Sequence, residues 1–158
     1  MVNLTFKHTD IHDIAYIGEN MRQADRDEVM AASGHNPMQS LLLGVRRSDQ
    51  TITAVSPDGV PLVIFGVVGK SLVTDVGVPW LLGCDEALKY RRHFMTDVPK
   101  VLEIMLEKYR MLENYVHVKN RVSVNWLKRM GFKMDEPVLF INSGEYFMRF
   151  YMERGEHV

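Results

Sequence analysis

The sequence contains a single cysteine, Cys84, in 158 residues. One cysteine excludes an internal disulfide and a cysteine metal cluster, and its apolar surroundings are more typical of a buried core residue than of a nucleophile. Long apolar runs are also absent, because residues 41–45 and 62–68 fall far short of the ~18 residues that a membrane helix needs. The N-terminus lacks the basic and then apolar pattern of a secretory signal, so we expect a cytoplasmic protein.

A strong net charge is missing too, since 19 Lys and Arg residues face 20 Asp and Glu residues. The charges are nevertheless segregated: residues 89–133 hold eleven Lys and Arg against four Asp and Glu, a net +7, whereas the remainder holds eight against sixteen, a net −8. A basic half suits a polyanionic ligand and an acidic half suits a cationic one, although solvated lysine-rich helices would give the same count. The length predicts a single domain over residues 1–158.

The first half of the chain changes hydrophobic period several times. Val2, Leu4 and Phe6 alternate with polar residues, and apolar residues three or four apart then indicate helices. Ser56-Pro57-Asp58-Gly59 is a turn signal between two apolar runs, which predicts a hairpin. The predicted elements are a strand at 2–6, helices at 11–21, 22–32 and 37–45, and strands at 51–55 and 60–68.

The second half predicts a strand, a helix, a strand, a helix and a closing hairpin. The strand at 78–84 is continuously apolar, and a helix capped by Thr96 or Asp97, with Pro99 in its first turn, leads to a strand at 115–118. Two strands joined by a helix should lie parallel. We therefore predict an α/β fold, a mixed sheet with helices on both faces, closed by strands at 138–141 and 146–151.

Residues 114–132 are the most informative stretch. Strand-forming residues end at Asn120, and from Val122 the apolar positions follow a helical period as far as Met130. Gly131 then ends the helix where a left-handed residue is favourable, and Phe132 opens a new extended segment. Asn120 thus stands between a strand and a helix, where it can cap the helix, bind a ligand or do both.

Asn120, Ser123, Trp126, Leu127, Gly131 and Phe132 resemble the asparagine–helix–Gly-Phe motif of the GNAT (Gcn5-related N-acetyltransferase) fold. The predicted order of elements is similar to that fold over nearly the whole chain. Residues 22–29, 79–83 and 112–120 are also similar to a phage-encoded GNAT-like family, which includes the internal virion protein A of T7-like phages. The resemblance implies a central mixed sheet of about seven strands whose two central parallel strands splay apart.

The resemblance also implies a site for acetyl-CoA, or another acyl-CoA, between those two strands. The residues that it assigns to the cofactor are Leu81, Leu82, Gly83 and Cys84 for the pantetheine arm, Arg91, Arg92 and His93 for the pyrophosphate, and Asn120 near the thioester. Two family features are missing here. Residues 91–96 contain no phosphate-loop glycine, and the helix tyrosine that often protonates the leaving thiolate is replaced by Leu127.

Four residues are candidates for catalysis. Asp25 and Glu28 share a helix face and could hold a cationic amine or take its proton, although they could equally be solvated charges paired with Arg22 and Arg26. Asp85 follows the cofactor strand and is either catalytic or part of a helix start. Tyr115 could replace the missing helix tyrosine, as could Tyr90 or Tyr146.

No metal site is expected. His8 and His12 have the spacing of helix ligands, but Thr9-Asp10 between them is typical of a helix start and no third ligand is evident.

Two main hypotheses follow. The first is an acetyl-CoA-dependent N-acetyltransferase, phage or prophage encoded, that acts on an unidentified amine, which a protein could also supply. The second is a catalytically inactive GNAT-like phage protein that is virion-associated or binds a host protein. Either would reside in the host cell cytoplasm or in the virion, without a membrane partner, and a homodimer is compatible with both. Nucleic-acid binding is disfavoured because the basic residues are interleaved with an apolar helix face.

Overall fold

The computed structural model describes residues 3–155, so the predicted contribution of Val2 to the first strand lies outside it. The helices in this range are α1 (Ile11–Asn20), α2 (Gln23–Ser33), α3 (Pro37–Arg47), α4 (Arg91–Lys108) and α5 (Arg121–Arg129), with a short 3-10 helix at Asp85–Tyr90. The strands are β1 (Thr5–His8), β2 (Thr51–Val55), β3 (Pro61–Gly69), β4 (Val76–Gly83), β5 (Met111–His117), β6 (Lys133–Met134), β7 (Val138–Phe140) and β8 (Glu145–Glu153). Across residues 3–155, no helix has the length and apolar character to cross a membrane.

The strands form one mixed sheet in the order β1-β2-β3-β4-β5-β8-β6, with β7 paired to β8. Only β4 and β5 are parallel among the described neighbours, as expected for strands joined by a helix. The predicted mixed α/β sheet is therefore confirmed, with eight strands instead of about seven. The additional strand is β6, which has only two residues and pairs with β8 on the edge opposite β5.

The helix starts follow from local capping chemistry. Asp10 precedes α1 and accepts from the Asp13 N–H, while the Asp13 carboxylate accepts from the Asp10 N–H, which is a capping box. Asn36 and Gln39 make the same arrangement at α3, where Pro37 occupies the first turn as predicted. These caps fix where both helices begin.

The predicted start of α4 is wrong. The helix begins at Arg91, eight residues before Pro99, and continues through this proline to Lys108. Phe94, Val98, Leu102 and Leu106 are all buried at a spacing of four residues, so one apolar face runs along the helix on both sides of Pro99. The packing of this face outweighs the single N–H donor that proline removes.

The two faces of the sheet carry different helices. A Cβ on Gly77 would lie 2.7 Å from the Tyr109 ring, which follows α4, whereas a Cβ on Gly44 of α3 would lie 2.9 Å from the Trp80 ring. Because side chains alternate along a strand, the odd residues of β4 face the α4 side and the even residues face the α3 side. Between the layers Ile17, Leu62, Ile64 and Leu112 are completely buried.

Candidate functional site

Strands β4 and β5 form a fork. They pair only where Val76 meets Met111 and Gly77 meets Leu112, and beyond these pairs they separate. The slot that opens between them has a volume of about 300 Å³ and is lined from both faces of the sheet. On one face its walls come from α4 and α5, and on the other they come from α2 and α3. A single cavity therefore connects the two sides of the sheet at its centre.

The β4 edge of the slot offers very little free backbone. In the antiparallel ladder with β3, the even residues of β4 turn their N–H and C=O groups toward β3, so the odd residues turn theirs toward the slot. Pro79 has no N–H, while the Gly83 N–H donates to Asp25 and the Gly83 carbonyl accepts from the Arg22 N–H. Among residues 76–83 this leaves the peptide groups of Leu81 available to a ligand.

Asn114 braces the fork from the β5 side. Its amide Nδ2 donates to the Pro79 carbonyl at 2.8 Å, across the gap between the strands. Its Oδ1 accepts from the Tyr115 N–H at 2.8 Å, which holds the amide in position. The sequence analysis missed Asn114, because an asparagine within a strand gives no sign of a partner 35 residues away. The brace satisfies the Pro79 carbonyl and fixes the width of the slot near its closed end.

Two carboxylates of α2 connect the open ends of the strands. The Asp25 carboxylate accepts from the Gly83 N–H of β4 at 3.3 Å, and the Glu28 carboxylate accepts from the His117 N–H of β5 at 2.8 Å. Asn120 donates to both carboxylates, at 3.1 Å to Asp25 and 3.4 Å to Glu28. The helix thus holds both strand ends at fixed positions through polar side chains.

Asp25 and Glu28 differ in how their charge is balanced. The Arg22 guanidinium lies 3.0 Å from the Asp25 carboxylate and is itself mostly buried, with 12% of its side chain exposed. Burial raises the pKa of Asp25, while Arg22, Asn120 and the Gly83 N–H oppose this shift. The interpretation of these charges as solvated helix residues is therefore wrong for Asp25, although its pairing with Arg22 is confirmed.

Glu28 has no cation in direct contact among the described residues, and it lines the slot. Burial raises its pKa from 4.5 to about 7, the nearby Asp25 charge adds to this shift, and the donors from His117 and Asn120 reduce it. A buried carboxyl that has a raised pKa and lines a cavity is typical of an acid–base site. Glu28 is therefore the group that can exchange a proton with a ligand near neutral pH.

The structure corrects the helix-capping role expected for Asn120. It occupies the residue before α5, but its side chain is turned to Arg22, Asp25 and Glu28 instead of the first turn of α5. Asn120 is also only 1% exposed. Its side chain is thus committed to the network that holds α2, so direct contact with a ligand in the slot would require that network to open.

We expect Asn120→Ala to lower the free energy of unfolding by about 1–3 kcal/mol, because Asp25 and Glu28 each lose a buried donor. Denaturation by urea measures this loss. Asn142→Ala is the matched control, since Asn142 is exposed in the turn between β7 and β8 and should change stability by less than about 0.5 kcal/mol. Equal effects of the two substitutions would contradict the structural role of Asn120.

The slot collects some of the predicted residues and not others. Leu81, Leu82 and Tyr115 line it, as do Trp126 and Leu127 of α5. The Gly83 N–H and C=O are already hydrogen-bonded to Asp25 and Arg22. Cys84 is buried, and its N–H donates to the Leu62 carbonyl. Burial also raises the pKa of the Cys84 thiol, which agrees with a core role. Neither backbone is free to pair with a ligand.

The remaining predicted residues lie near the start of α4. Asp85 is exposed and begins the 3-10 helix, which favours its helix-start role. Arg91 is the first residue of α4, while Arg92 and His93 line a second groove beside Asn3 and Phe6 of the β1 edge. The expected phosphate loop is therefore helical, and two of its three basic side chains face a groove other than the slot.

Solved structures show that the chain has the GNAT fold. Spermidine N-acetyltransferase from Vibrio cholerae in complex with CoA and spermine is similar to it with a TM-score of 0.71 and 14% identity, over 97% of this chain and 96% of that one. The dodecameric structure of spermidine N-acetyltransferase from Vibrio cholerae in an intermediate state is similar to this chain with a TM-score of 0.67 and 12% identity, over 98% of this chain and 96% of that one. A structure assigned as a phosphinothricin N-acetyltransferase is similar to this chain with a TM-score of 0.67 and 14% identity, over 98% of this chain and 100% of that one.

No protein-family model and no curated protein sequence matches the chain. The likeness therefore lies in the arrangement of elements, which these proteins share at identities of 12–14%. The predicted splayed pair of parallel strands is confirmed by the fork between β4 and β5. The fold does not by itself establish a function, so the function of the slot must be inferred from the residues that line it.

Proposed function

We propose that the protein is an N-acyltransferase that uses acetyl-CoA, or another acyl-CoA, to acylate an amine. The observation that carries the proposal is the slot through the sheet, with the free peptide groups of Leu81 at its β4 edge and the Glu28 carboxyl in its α2 wall. One ligand could enter from the α4–α5 face and the other from the α2–α3 face. Their reacting ends would then meet between the strands.

The acyl donor fits the α4–α5 side of the slot. The Leu81 N–H and C=O can pair with one amide of the pantetheine arm, while the side chains of Leu81 and Leu127 supply an apolar wall. No glycine lies between Asp85 and Lys108, so side chains must contact the pyrophosphate in place of a closely wrapped backbone. Lys89 and Arg91 are exposed near the start of α4, where the helix dipole also favours an anion.

Glu28 fits the role of general base. The bound thioester supplies an activated acetyl group, and the amine must lose a proton as the C–N bond forms and the C–S bond breaks. With its pKa near 7, the Glu28 carboxylate can hold that proton at neutral pH. Tyr115, the tyrosine among the described residues that line the slot, would return a proton to the departing sulfur. Asp25, Arg22 and Asn120 hold α2 so that Glu28 stays in position.

Filling the slot tests the proposal. Ser123 lines it from α5, so Ser123→Trp should weaken acetyl-CoA binding by at least about tenfold, which calorimetry with the purified protein measures. Val122→Trp is the matched control, because Val122 is the neighbouring residue of the same helix and 49% of it is exposed. Failure of acetyl-CoA to bind the unaltered protein at millimolar concentration would refute the proposal. If both variants bind acetyl-CoA equally well, the cofactor binds outside the slot.

We also expect Lys89→Ala combined with Arg91→Ala to weaken acetyl-CoA binding at low ionic strength, with a smaller loss as salt rises, because screening reduces the contribution of exposed charges to phosphate binding. Calorimetric titrations at two salt concentrations measure this. Arg46→Ala with Arg47→Ala removes the same charge from the exposed end of α3 and is the control. If both pairs lower affinity equally, the effect is one of overall charge, and the phosphates bind elsewhere.

A second function is favoured by two features of the sequence. Leu127, at the position of the helix tyrosine, cannot donate a proton, and the phosphate-loop glycines are absent. A GNAT-like protein that binds acyl-CoA without turnover, in the manner of a virion-associated or host-binding phage protein, would have these features. Acetyl-CoA binding with no release of CoA thiol in the presence of amines would support this alternative, and thiol release dependent on Glu28 would exclude it.

A further inference from the structure

The acceptor side of the slot has a distinctive composition. We use the term α2–α3 wall for the lining residues that come from α2, α3 and the neighbouring faces of β4 and β5. Its members are Glu28, Val29, Ala32, Ser40, Gly44, Trp80 and Tyr115. Apart from the Glu28 carboxyl, the wall offers only the hydroxyl groups of Ser40 and Tyr115 and the indole of Trp80 as polar side-chain groups. It is therefore an apolar surface with one acidic position.

Charge is the most informative property of this wall. Among the described residues that line the slot, Glu28 is the only one with a carboxyl group, and none is a lysine or an arginine. Asp25 lies close by but is ion-paired with Arg22 and only 3% exposed, so it cannot bind a second cation. A ligand carboxylate would find no cationic partner in the slot, and a second ammonium group would find no anionic one.

The shape of the wall is set by Trp80. Its indole packs against Gly44, where a Cβ would come within 2.9 Å of the ring, and its Nε1–H donates to the Ser48 hydroxyl at 2.8 Å. The ring is therefore held in one orientation, and its polar edge is already satisfied. The surface that remains for a ligand is the apolar part of the ring together with Val29 and Ala32.

We propose that the acceptor is a primary amine carrying a single positive charge on an apolar stem, with neither a carboxylate nor a second ammonium group within the slot. This rests on the proposed function. Glu28 binds the ammonium group and then takes its proton, while the stem lies along Trp80 and Val29. Two sources share this chemistry, a free alkylamine and the side chain of a lysine in a peptide.

Three amines with the same five-carbon chain test the proposal. The fifth carbon is a methyl group in pentylamine, carries an ammonium group in 1,5-diaminopentane and is the carboxylate carbon in 5-aminopentanoate. With saturating acetyl-CoA, kcat/KM from thiol release should be at least about tenfold higher for pentylamine than for the other two, because each of these buries an unpaired charge. A kcat/KM for the diamine or the amino acid that equals that of pentylamine would overturn the proposal.

A blocked lysine, Nα-acetyl-lysine methylamide, distinguishes the two sources. A kcat/KM above that of pentylamine assigns the slot to a peptide lysine, and a value below it assigns the slot to a free amine. Calorimetry with acetyl-CoA separates this proposal from the proposed function. If acetyl-CoA binds but none of the monoamines reacts, the acceptor class is wrong while the cofactor site stands. If acetyl-CoA does not bind, the proposed function itself fails.

A gain of function provides a second, independent measurement. Ala32 is exposed and lines the wall. Ala32→Asp therefore adds a second carboxylate to the slot, which can pair with the second ammonium group of a diamine. The ratio of kcat/KM for 1,5-diaminopentane over that for pentylamine should rise by about tenfold, a change equivalent to one well-placed ion pair. Ser33→Asp is the control, since it places the same charge one residue away, outside the lining. Equal ratios in both variants would overturn the proposal.

Discussion

Replacing Glu28 by glutamine is expected to lower kcat by about 10²- to 10⁴-fold while making the folded protein more stable above neutral pH. Glutamine keeps an oxygen that can accept from the His117 N–H but cannot take a proton from the amine. In the unaltered protein the rate of the proposed reaction should rise with pH through an apparent pKa near 7, the value to which burial raises the pKa of Glu28. The variant should lose this dependence.

The stability effect follows from the direction of the same shift. Between about pH 4.5 and 7 the folded protein retains a proton on Glu28 that the unfolded chain has released. The free energy of unfolding therefore falls as pH rises through this window, by at most about 3 kcal/mol from Glu28, and burial of Asp25 acts in the same direction. Glu28→Gln should reduce this slope and exceed the unaltered protein in stability at about pH 8.

Urea denaturation at several pH values and thiol-release kinetics measure the two effects in one variant. Asp27→Asn is the matched control, because Asp27 lies on the same helix with its carboxylate exposed and bonded to Gln23. It should change neither kcat nor the pH slope. An unchanged kcat in Glu28→Gln would show that Glu28 takes no part in the reaction. If this variant is less stable than the unaltered protein at about pH 8, the Glu28 carboxylate is not desolvated.

Replacing Asp25 by alanine is expected to cost about 3–5 kcal/mol of folding stability, because it leaves the mostly buried Arg22 guanidinium without its counter-ion. The Gly83 N–H and one Asn120 donor lose their acceptor as well. Asp27→Ala is the control on the same helix and should cost less than about 0.5 kcal/mol. Urea denaturation followed by circular dichroism measures both.

A double substitution tests whether the cost comes from the stranded charge. Arg22→Met combined with Asp25→Leu removes both partners and should recover much of the stability that Asp25→Ala loses, since a buried ion pair can be replaced by apolar groups at little cost. If the double variant is as unstable as Asp25→Ala, the backbone donors of Gly83 matter more than the ion pair. If Asp25→Ala resembles Asp27→Ala, the network does not hold the fork.

Much of the fold could be predicted from the sequence, because its strongest signals are local. The switch from strand to helix after Asn120 and the end of α5 at Gly131, whose φ is 99°, follow from residues within one turn of each other. The capping box at Asn36 has the same local character. The start of α4 was misplaced because Pro99 is a local signal, whereas the packing of Phe94 is not.

The site was harder to predict, because its key contacts connect distant parts of the chain. Asn120 is hydrogen-bonded to Asp25, 95 residues away, and Asn114 to Pro79, 35 residues away. The periodicity of the sequence cannot predict contacts at such separations. The sequence did single out Asp25, Glu28 and Asn120, but it could not show that α2 holds the ends of both strands. Nor could it show that Gly83 is already occupied, which only the fold reveals.

The single free peptide at Leu81 has a consequence for association with other chains. When two neighbouring strands of a sheet separate, each strand edge ordinarily exposes unpaired backbone N–H and C=O groups. Another polypeptide could pair with such an edge as an added strand. Here the imino nitrogen of Pro79 and the engaged backbone of Gly83 bracket the opening on either side. On the β4 side the opening is therefore long enough to pair with one amide of a slender ligand and too short to pair with an added strand.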